Sequence, residues 1–314
     1  MKRFLLAVLA LVVLGAAAAG FVVWKATQGL DPAELEARYA AGVDRFIDVE
    51  GLRVRIREEG PADGPPIVLL HGFVVSLESF DGWARELSDE YRVIRFDLAG
   101  HGLTGPDPEK RYAPLERAEF VGAVMDALGI ERAVIGGNSL GGLAAWRFAA
   151  AHPDRVTALV LVSPGAFPNQ YVSDEPVAPP AAMVAFLRTA TPTAVRKALE
   201  GVYHDDARIT EARVALMSDM MRRRGNGQAF IDSINEFSLP DPTADLATIE
   251  AATLILWGEE DIVIPVAQAS MMARAIPGSK LIVYPRIGHV PQEEDPATSA
   301  ADVRAFLASL GGGS

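Results

Sequence analysis

Residues 133–142 read Ala-Val-Ile-Gly-Gly-Asn-Ser-Leu-Gly-Gly, and this stretch decides the fold. A short apolar run ends in two glycines and a helical run begins at Leu140, which predicts a strand, a sharp turn and a helix. In such a setting the pattern Gly-x-Ser-x-Gly lifts the serine hydroxyl clear of the backbone and tolerates only small residues two positions away. Gly137 and Gly141 occupy those positions, so Ser139 is a candidate nucleophile.

A serine hydroxyl reacts only when a base removes its proton, and a carboxylate must orient that base. His289 follows the last predicted strand, and Asp261 follows the strand before it. Both are therefore expected at the carboxyl ends of strands, where Ser139 lies, and the chain order Ser, Asp, His is typical of this architecture. Glu259 and Glu260 are alternatives to Asp261 as the orienting acid. Three other histidines are interpreted as structural or substrate-facing: His101, His152 and His204.

Attack on a carbonyl group creates an oxyanion, and each preorganised N–H donor contributes about 3 kcal/mol to its stabilisation. The backbone N–H of Leu140 is one candidate donor, since it opens the helix after the serine. The second candidate is the N–H of Phe73, in the His71-Gly72-Phe73 loop that follows the predicted strand at 67–70. These two amides are the predicted oxyanion hole.

Short apolar runs alternate with helical periodicity along most of the chain. This alternation predicts an α/β fold, with a mostly parallel sheet covered by helices on both faces. The predicted core comprises residues 43–164 and 249–310. Between them, residues 165–248 contain helical runs and no convincing strand, which predicts a helical cap over the carboxyl ends of the strands.

Residues 4–24 carry no charged side chain, and as a helix they would span about 30 Å, the thickness of a bilayer core. Basic residues precede this run and acidic residues follow it, which favours an extracytoplasmic (periplasmic or extracellular) body. Residues 1–30 are therefore predicted to be a membrane anchor, with a cleaved signal peptide and secretion as the alternative. Residues 31–42 are expected to form a linker helix, and residues 311–314 a flexible tail.

The chain has 314 residues, half of them apolar, with a net charge of −12 and no cysteine. Nucleic-acid binding requires clustered Lys and Arg, so this acidic balance excludes nucleic acid as the expected partner. The absence of cysteine excludes disulfides, thiolate zinc sites, iron–sulfur clusters and a cysteine nucleophile.

The chain resembles the α/β-hydrolase superfamily over about residues 45–310. Five ordered motifs carry the resemblance: His71-Gly72-Phe73, Asp97-Leu98-Ala99-Gly100-His101-Gly102, Gly137-Asn138-Ser139-Leu140-Gly141-Gly142, Gly258-Glu259-Glu260-Asp261 and Gly288-His289-Val290-Pro291. The resemblance implies an eight-stranded sheet and no cofactor or metal. It also implies Ser139, Asp261 and His289 as nucleophile, acid and base.

The expected activity is that of a serine carboxylester hydrolase acting on small or lipid-like acyl esters through an acyl-enzyme. Membrane-anchored members similar to monoacylglycerol lipase pair an N-terminal anchor with this domain. The elbow Gly-Asn-Ser-Leu-Gly-Gly is also similar to the Gly-Asn-Ser-Met-Gly-Gly of meta-cleavage-product hydrolases, which makes carbon–carbon bond hydrolysis an alternative. A catalytically silent binding protein of the same fold is the third hypothesis.

Overall fold

The structure, a computed structural model, describes residues 28–40, 42–168 and 172–311. The uncharged run at residues 4–24, within the anchor predicted over residues 1–30, lies outside the described residues, as do the last three residues of the predicted tail. Within the predicted linker, Asp31 caps a helix, since its carboxylate accepts a hydrogen bond from Ala33 N at 2.9 Å.

Eight strands of the described chain form a single sheet. In chain order they are β1 (Asp44–Val49), β2 (Leu52–Glu59), β3 (Pro66–Leu70), β4 (Arg92–Phe96), β5 (Ala133–Asn138), β6 (Val156–Val162), β7 (Thr253–Gly258) and β8 (Lys280–Tyr284). Across the sheet the order is β1-β2-β4-β3-β5-β6-β7-β8. The β1–β2 and β2–β4 pairs are antiparallel and the other pairs are parallel, which confirms the predicted mostly parallel eight-stranded sheet.

The helices of the described chain are α1 (Pro32–Tyr39), α2 (Asp81–Leu87), α3 (Pro114–Ala127), α4 (Leu140–Ala151), α5 (Ala181–Thr189), α6 (Pro192–Leu199), α7 (Glu211–Arg222), α8 (Asn226–Asn235), α9 (Thr243–Leu246), α10 (Ala267–Ala275), α11 (Pro291–Glu294) and α12 (Pro296–Gly311). Three short 3₁₀ helices add Leu77–Phe80, Pro153–Arg155 and Asp206–Arg208. Five of the α-helices, α5 to α9, lie between β6 and β7, in the range predicted to be the cap.

The core lies in two layers, one on each face of the sheet. On one face the sheet packs against α3, α4 and α10, and the buried side chains include Trp146 and Phe148. On the other face it packs against α2 and α12, with Trp83 and Phe306 buried. Because both faces are covered, the central strands are almost continuously buried, which explains why they read as unbroken apolar runs.

The predicted membrane-anchored, extracytoplasmic location is contradicted for the part of the chain that the structure describes. Among the described residues, no helix is long and apolar enough to cross a bilayer. The longest, α12, has 16 residues and carries Asp302 and Arg304, and a helix of that length rises only about 24 Å, short of a bilayer core of about 30 Å.

Candidate active site

Ser139 is the single residue between the end of β5 and the first residue of α4. Its backbone has φ 54° and ψ −114°, a region that a residue with a side chain rarely adopts, so the turn is strained. A Cβ added at Gly137 would lie 2.4 Å from the carbonyl carbon of Gly141, and one added at Gly141 would lie 2.1 Å from the carbonyl oxygen of Leu70. The two glycines are therefore required by space, as the motif predicts.

Asp261 and His289 meet in the loops that follow β7 and β8. His289 Nδ1 lies 2.8 Å from Asp261 Oδ2, and both side chains are buried. The other carboxylate oxygen of Asp261 accepts hydrogen bonds from Val263 N at 2.9 Å and Ile264 N at 2.8 Å. A carboxylate held in this way accepts a hydrogen bond from the Nδ1–H group, which leaves Nε2 of His289 as the basic nitrogen.

The alternative acids take no part in this pair. Glu259 and Glu260 are both exposed, and their backbone amides bond to the carbonyls of Tyr284 and Ile287. Since the carboxylate of Asp261 is the one that contacts His289, the two glutamates serve as connecting loop residues.

Asn138 links the serine turn to the histidine loop. Its side-chain Nδ2 donates to the carbonyl oxygens of His289 and Val162, each at 3.1 Å. The side chain is 2% exposed, so both bonds are shielded from water. The sequence pattern does not predict this role for Asn138, and its position directly before Ser139 is the one signal that points to it.

The Gly72-Phe73 loop lies against the serine turn. A Cβ added at Gly72 would lie 3.0 Å from Asn138 Oδ1 and 3.4 Å from the Cβ of Ser139. Within the described chain, neither Phe73 N–H nor Leu140 N–H has a hydrogen-bond acceptor. Both donors are thus available to a ligand, which is the condition that an oxyanion hole requires.

His71 orients the peptide that carries the Phe73 amide. Its Nε2 accepts a hydrogen bond from Leu98 N at 2.9 Å, so its Nδ1 carries the proton and donates to Gly72 O at 2.8 Å. Complete burial lowers the pKa of His71 to about 4, which keeps the ring neutral near neutral pH. The bond to Gly72 O fixes the plane of the Gly72–Phe73 peptide, whose other end is the Phe73 N–H.

Buried charged side chains stabilise the chain segments that follow the His71-Gly72-Phe73 loop and β4. Asp97 Oδ1 accepts from Leu77 N at 2.8 Å, and Asp97 Oδ2 accepts from Leu103 N at 2.7 Å. The fully buried Arg55 forms ion pairs with Asp97 and with Glu78. Asp97 is therefore a structural residue of the neighbouring loop.

The surroundings of Phe73 are aromatic and apolar. The Phe73 ring lies 5.5 Å from the Phe230 ring of α8 and 5.6 Å from the His101 ring, both in edge-to-face orientation. His101 Nδ1 lies 3.1 Å from Ala99 O, and burial lowers the pKa of this ring well below its usual range. Helices α5 to α8 of the cap form a hydrophobic cluster against which Phe73 and Val74 pack.

Proteins of known family or structure resemble this chain in sequence and in fold. The sequence model of the α/β hydrolase fold family matches residues 65–296. A 2-hydroxy-6-oxononadienedioate/2-hydroxy-6-oxononatrienedioate hydrolase of Paraburkholderia phymatum is 31% identical over 81% of this chain and 92% of its own length.

Two solved structures are also similar. A membrane phospholipase A, described as a bacterial virulence factor, has a TM-score of 0.74 and 27% identity, covering 99% of this chain and 100% of that one. A meta-cleavage product hydrolase from Pseudomonas fluorescens has a TM-score of 0.75 and 25% identity, covering 85% of this chain and 98% of that one.

These comparisons confirm the predicted fold and the hydrolase class. The names of the curated relatives match the alternative hypothesis of carbon–carbon bond hydrolysis better than the expected ester hydrolysis. The family model covers more than half of the sequence. The chain therefore belongs to the α/β hydrolase fold family.

Proposed function

We propose that this protein is a serine hydrolase that cleaves carboxylic esters through an acyl-enzyme. The observation that carries the proposal is the buried Asp261–His289 pair, which Asn138 ties to the turn of Ser139. A base oriented by a carboxylate beside a strained serine turn is the arrangement that nucleophilic acyl transfer needs.

The proposed reaction has two halves. In the first, Ser139 Oγ attacks the ester carbonyl carbon while His289 Nε2 takes the hydroxyl proton, and the N–H groups of Phe73 and Leu140 bind the oxyanion. The C–O bond then breaks, and His289 gives its proton to the departing alcohol. In the second half, water loses a proton to His289 and attacks the acyl carbon, which releases the acid and restores Ser139. Asp261 holds the imidazole and balances its positive charge.

An acyl ester suits the surroundings better than a charged substrate does. The residues packed around the Phe73 loop are apolar or aromatic, including Phe230 and the cap cluster. The nearby Arg213 is paired with Glu293 at 2.7 Å, and Arg117 donates to the carbonyls of Tyr112 and Ala99. The charge of Arg213 is therefore balanced by Glu293, although its Nε has no hydrogen-bond partner among the described residues, and the N–H groups of Arg117 are directed at backbone carbonyls.

Carbon–carbon bond hydrolysis is the second candidate, supported by the names of the curated relatives. The same residues would serve, with water adding to a ketone and the departing carbon accepting the proton. The two candidates differ in the substrate rather than in the protein groups.

A substrate series separates them. p-Nitrophenyl esters of graded chain length and a vinylogous 2-hydroxy-6-oxo diketone would be assayed with the wild type and with Ser139→Ala. We expect hydrolysis of the esters by the wild type and its loss in Ser139→Ala. Turnover of the diketone alone would overturn the ester proposal in favour of the second candidate, and turnover of neither would favour a binding protein.

A further inference from the structure

The short helix α11 begins two residues after His289 and carries two consecutive glutamates, Glu293 and Glu294. Glu294 is fully buried, and its carboxylate accepts three backbone hydrogen bonds. Its Oε1 accepts from Gly288 N at 2.7 Å, and its Oε2 accepts from His204 N at 2.9 Å and Asp205 N at 3.3 Å. One carboxylate therefore joins the residue before His289 to a segment of the cap.

The same cap segment also contacts His289 directly. His289 N donates to Val202 O at 2.8 Å. The fit is tight, since a Cβ added at Gly288 would lie 2.5 Å from Val202 O and 2.8 Å from His204 N. The backbone of His289 is thus held on its N-terminal side by the cap, while Asn138 binds its carbonyl from the serine turn.

We infer that Glu294 is a positioning residue for His289, and that through it the cap segment at residues 202–205 helps to align the base. This inference rests on the proposed role of His289. The imidazole is fixed at Nδ1 by Asp261, so its remaining freedom lies in the backbone that carries it. Loss of one carboxylate frees the Gly288 amide and two cap amides together, which lets the histidine loop shift. A shift of about 1 Å in a reacting group lowers a rate by about 100-fold.

The neighbouring Glu293 provides a matched control. Its carboxylate accepts from Tyr203 Oη at 2.6 Å and from Arg213 Nη2 at 2.7 Å. It therefore also ties α11 to the cap, but its side chain makes no hydrogen bond to the backbone of residues 288 and 289. A general loosening of the cap would affect both glutamates alike, whereas alignment of the base depends on Glu294.

The test is the inactivation of the full chain by a fluorophosphonate, comparing Glu294→Gln, Glu293→Gln and the wild type. The final amount of label measures the competent fraction, and the kinetics separate kinact from KI. We expect Glu294→Gln to lower kinact by about 10- to 100-fold with KI within about threefold, and Glu293→Gln to leave kinact within about threefold. A purely structural role would reduce the labelled fraction and the Tm without changing kinact.

Two results would overturn the inference: an unchanged kinact in Glu294→Gln, or an equal loss in Glu293→Gln. If Glu294→Gln does not fold, Glu294→Asp keeps the charge but is too short to reach both sets of amides, and the same loss of kinact is expected. Ser139→Ala is run in parallel. If the Ser139→Ala variant is labelled, the proposed function fails. If it is not labelled and Glu294→Gln keeps the wild-type kinact, only the positioning role fails.

Discussion

The side-chain Nδ2 of Asn138 lies 3.1 Å from the carbonyl oxygen of His289 and donates a hydrogen bond to it. The two residues are 151 positions apart, and the bond joins the end of β5 to the loop after β8. Because Ser139 follows Asn138 directly, one buried amide sets the spacing between the proposed nucleophile and the loop of its base.

Replacing this amide is expected to disturb that spacing. Asn138→Ala removes the donor to both His289 O and Val162 O and leaves the carbonyl of His289 without a partner, while Val162 O keeps its hydrogen bond from Ser139 N. We expect the free energy of unfolding to fall by about 1–3 kcal/mol, and kcat to fall by about 100-fold. Urea unfolding and ester hydrolysis measure the two effects.

Asn226→Ala is the matched control for that variant. Asn226 is also fully buried, and its Nδ2 donates to Gly102 O at 3.0 Å and to Met220 O at 2.8 Å, away from His289. It should lose similar stability while kcat per labelled site stays within about threefold. Equal losses of kcat in the two variants would show that Asn138 acts through stability alone.

The orienting acid can be tested by removing its charge. Asp261→Asn keeps the shape of the side chain but no longer holds the Nδ1 proton of His289, so kcat should fall by about 10³- to 10⁴-fold. Glu260→Gln alters an exposed acid one residue away and should change kcat by less than about twofold. A larger loss in Glu260→Gln than in Asp261→Asn would mean that the acid is misassigned.

The serine turn should reject even a methyl group. In Gly141→Ala the added Cβ would lie 2.1 Å from the carbonyl oxygen of Leu70, so the loop that carries Phe73 must move. We expect a loss of kcat of at least about 100-fold. At Gly165, whose amide donates to Ser139 O at 3.0 Å, an added Cβ meets its nearest atoms only at 3.7 Å. Gly165→Ala should therefore remain active, and inactivity of both variants would contradict the spatial account.

Stability should depend on pH through the buried His71. Its pKa is lowered from 6.5 to about 4 in the folded protein, so the unfolded chain binds more protons between these values. The contribution of neutral His71 to the free energy of unfolding is fully present above about pH 6.5 and is lost as the pH falls towards 4. The total loss is about 3 kcal/mol. Urea unfolding between about pH 7 and pH 4.5 should show a smaller decrease in His71→Asn than in the wild type. Identical pH slopes would mean that His71 is not buried as a neutral ring.

Local signals were sufficient to predict most of the fold. The apolar runs around Ile135 and Leu159 are buried strands, because a sheet covered on both faces needs apolar residues at every position. The glycine pattern around Ser139 identified the turn, since the close approach of Leu70 leaves no space for a side chain. The pairing of Asp261 with His289 followed from their positions after neighbouring strands.

Residues that act through long-range contacts could not be predicted in this way. Asn138 and Glu294 bind backbone groups far away in the sequence or in the cap, and nothing in the local pattern indicates which carbonyl or amide they meet. The membrane-anchored location predicted from the apolar run at residues 4–24 is contradicted for the part of the chain that the structure describes, where no helix could span a bilayer, and the run itself lies outside those residues. Which backbone groups the side chains of Asn138 and Glu294 bind depends on contacts between distant parts of the fold rather than on sequence periodicity.

The central claim is that Ser139 is the nucleophile, and covalent labelling tests it most directly. The wild type and Ser139→Ala would be treated with a fluorophosphonate, followed by intact mass spectrometry and mapping of the modified peptide. The account predicts a single adduct on Ser139 in the wild type and none in Ser139→Ala. A wild type that takes up no label, or a Ser139→Ala variant that is labelled equally, would contradict it.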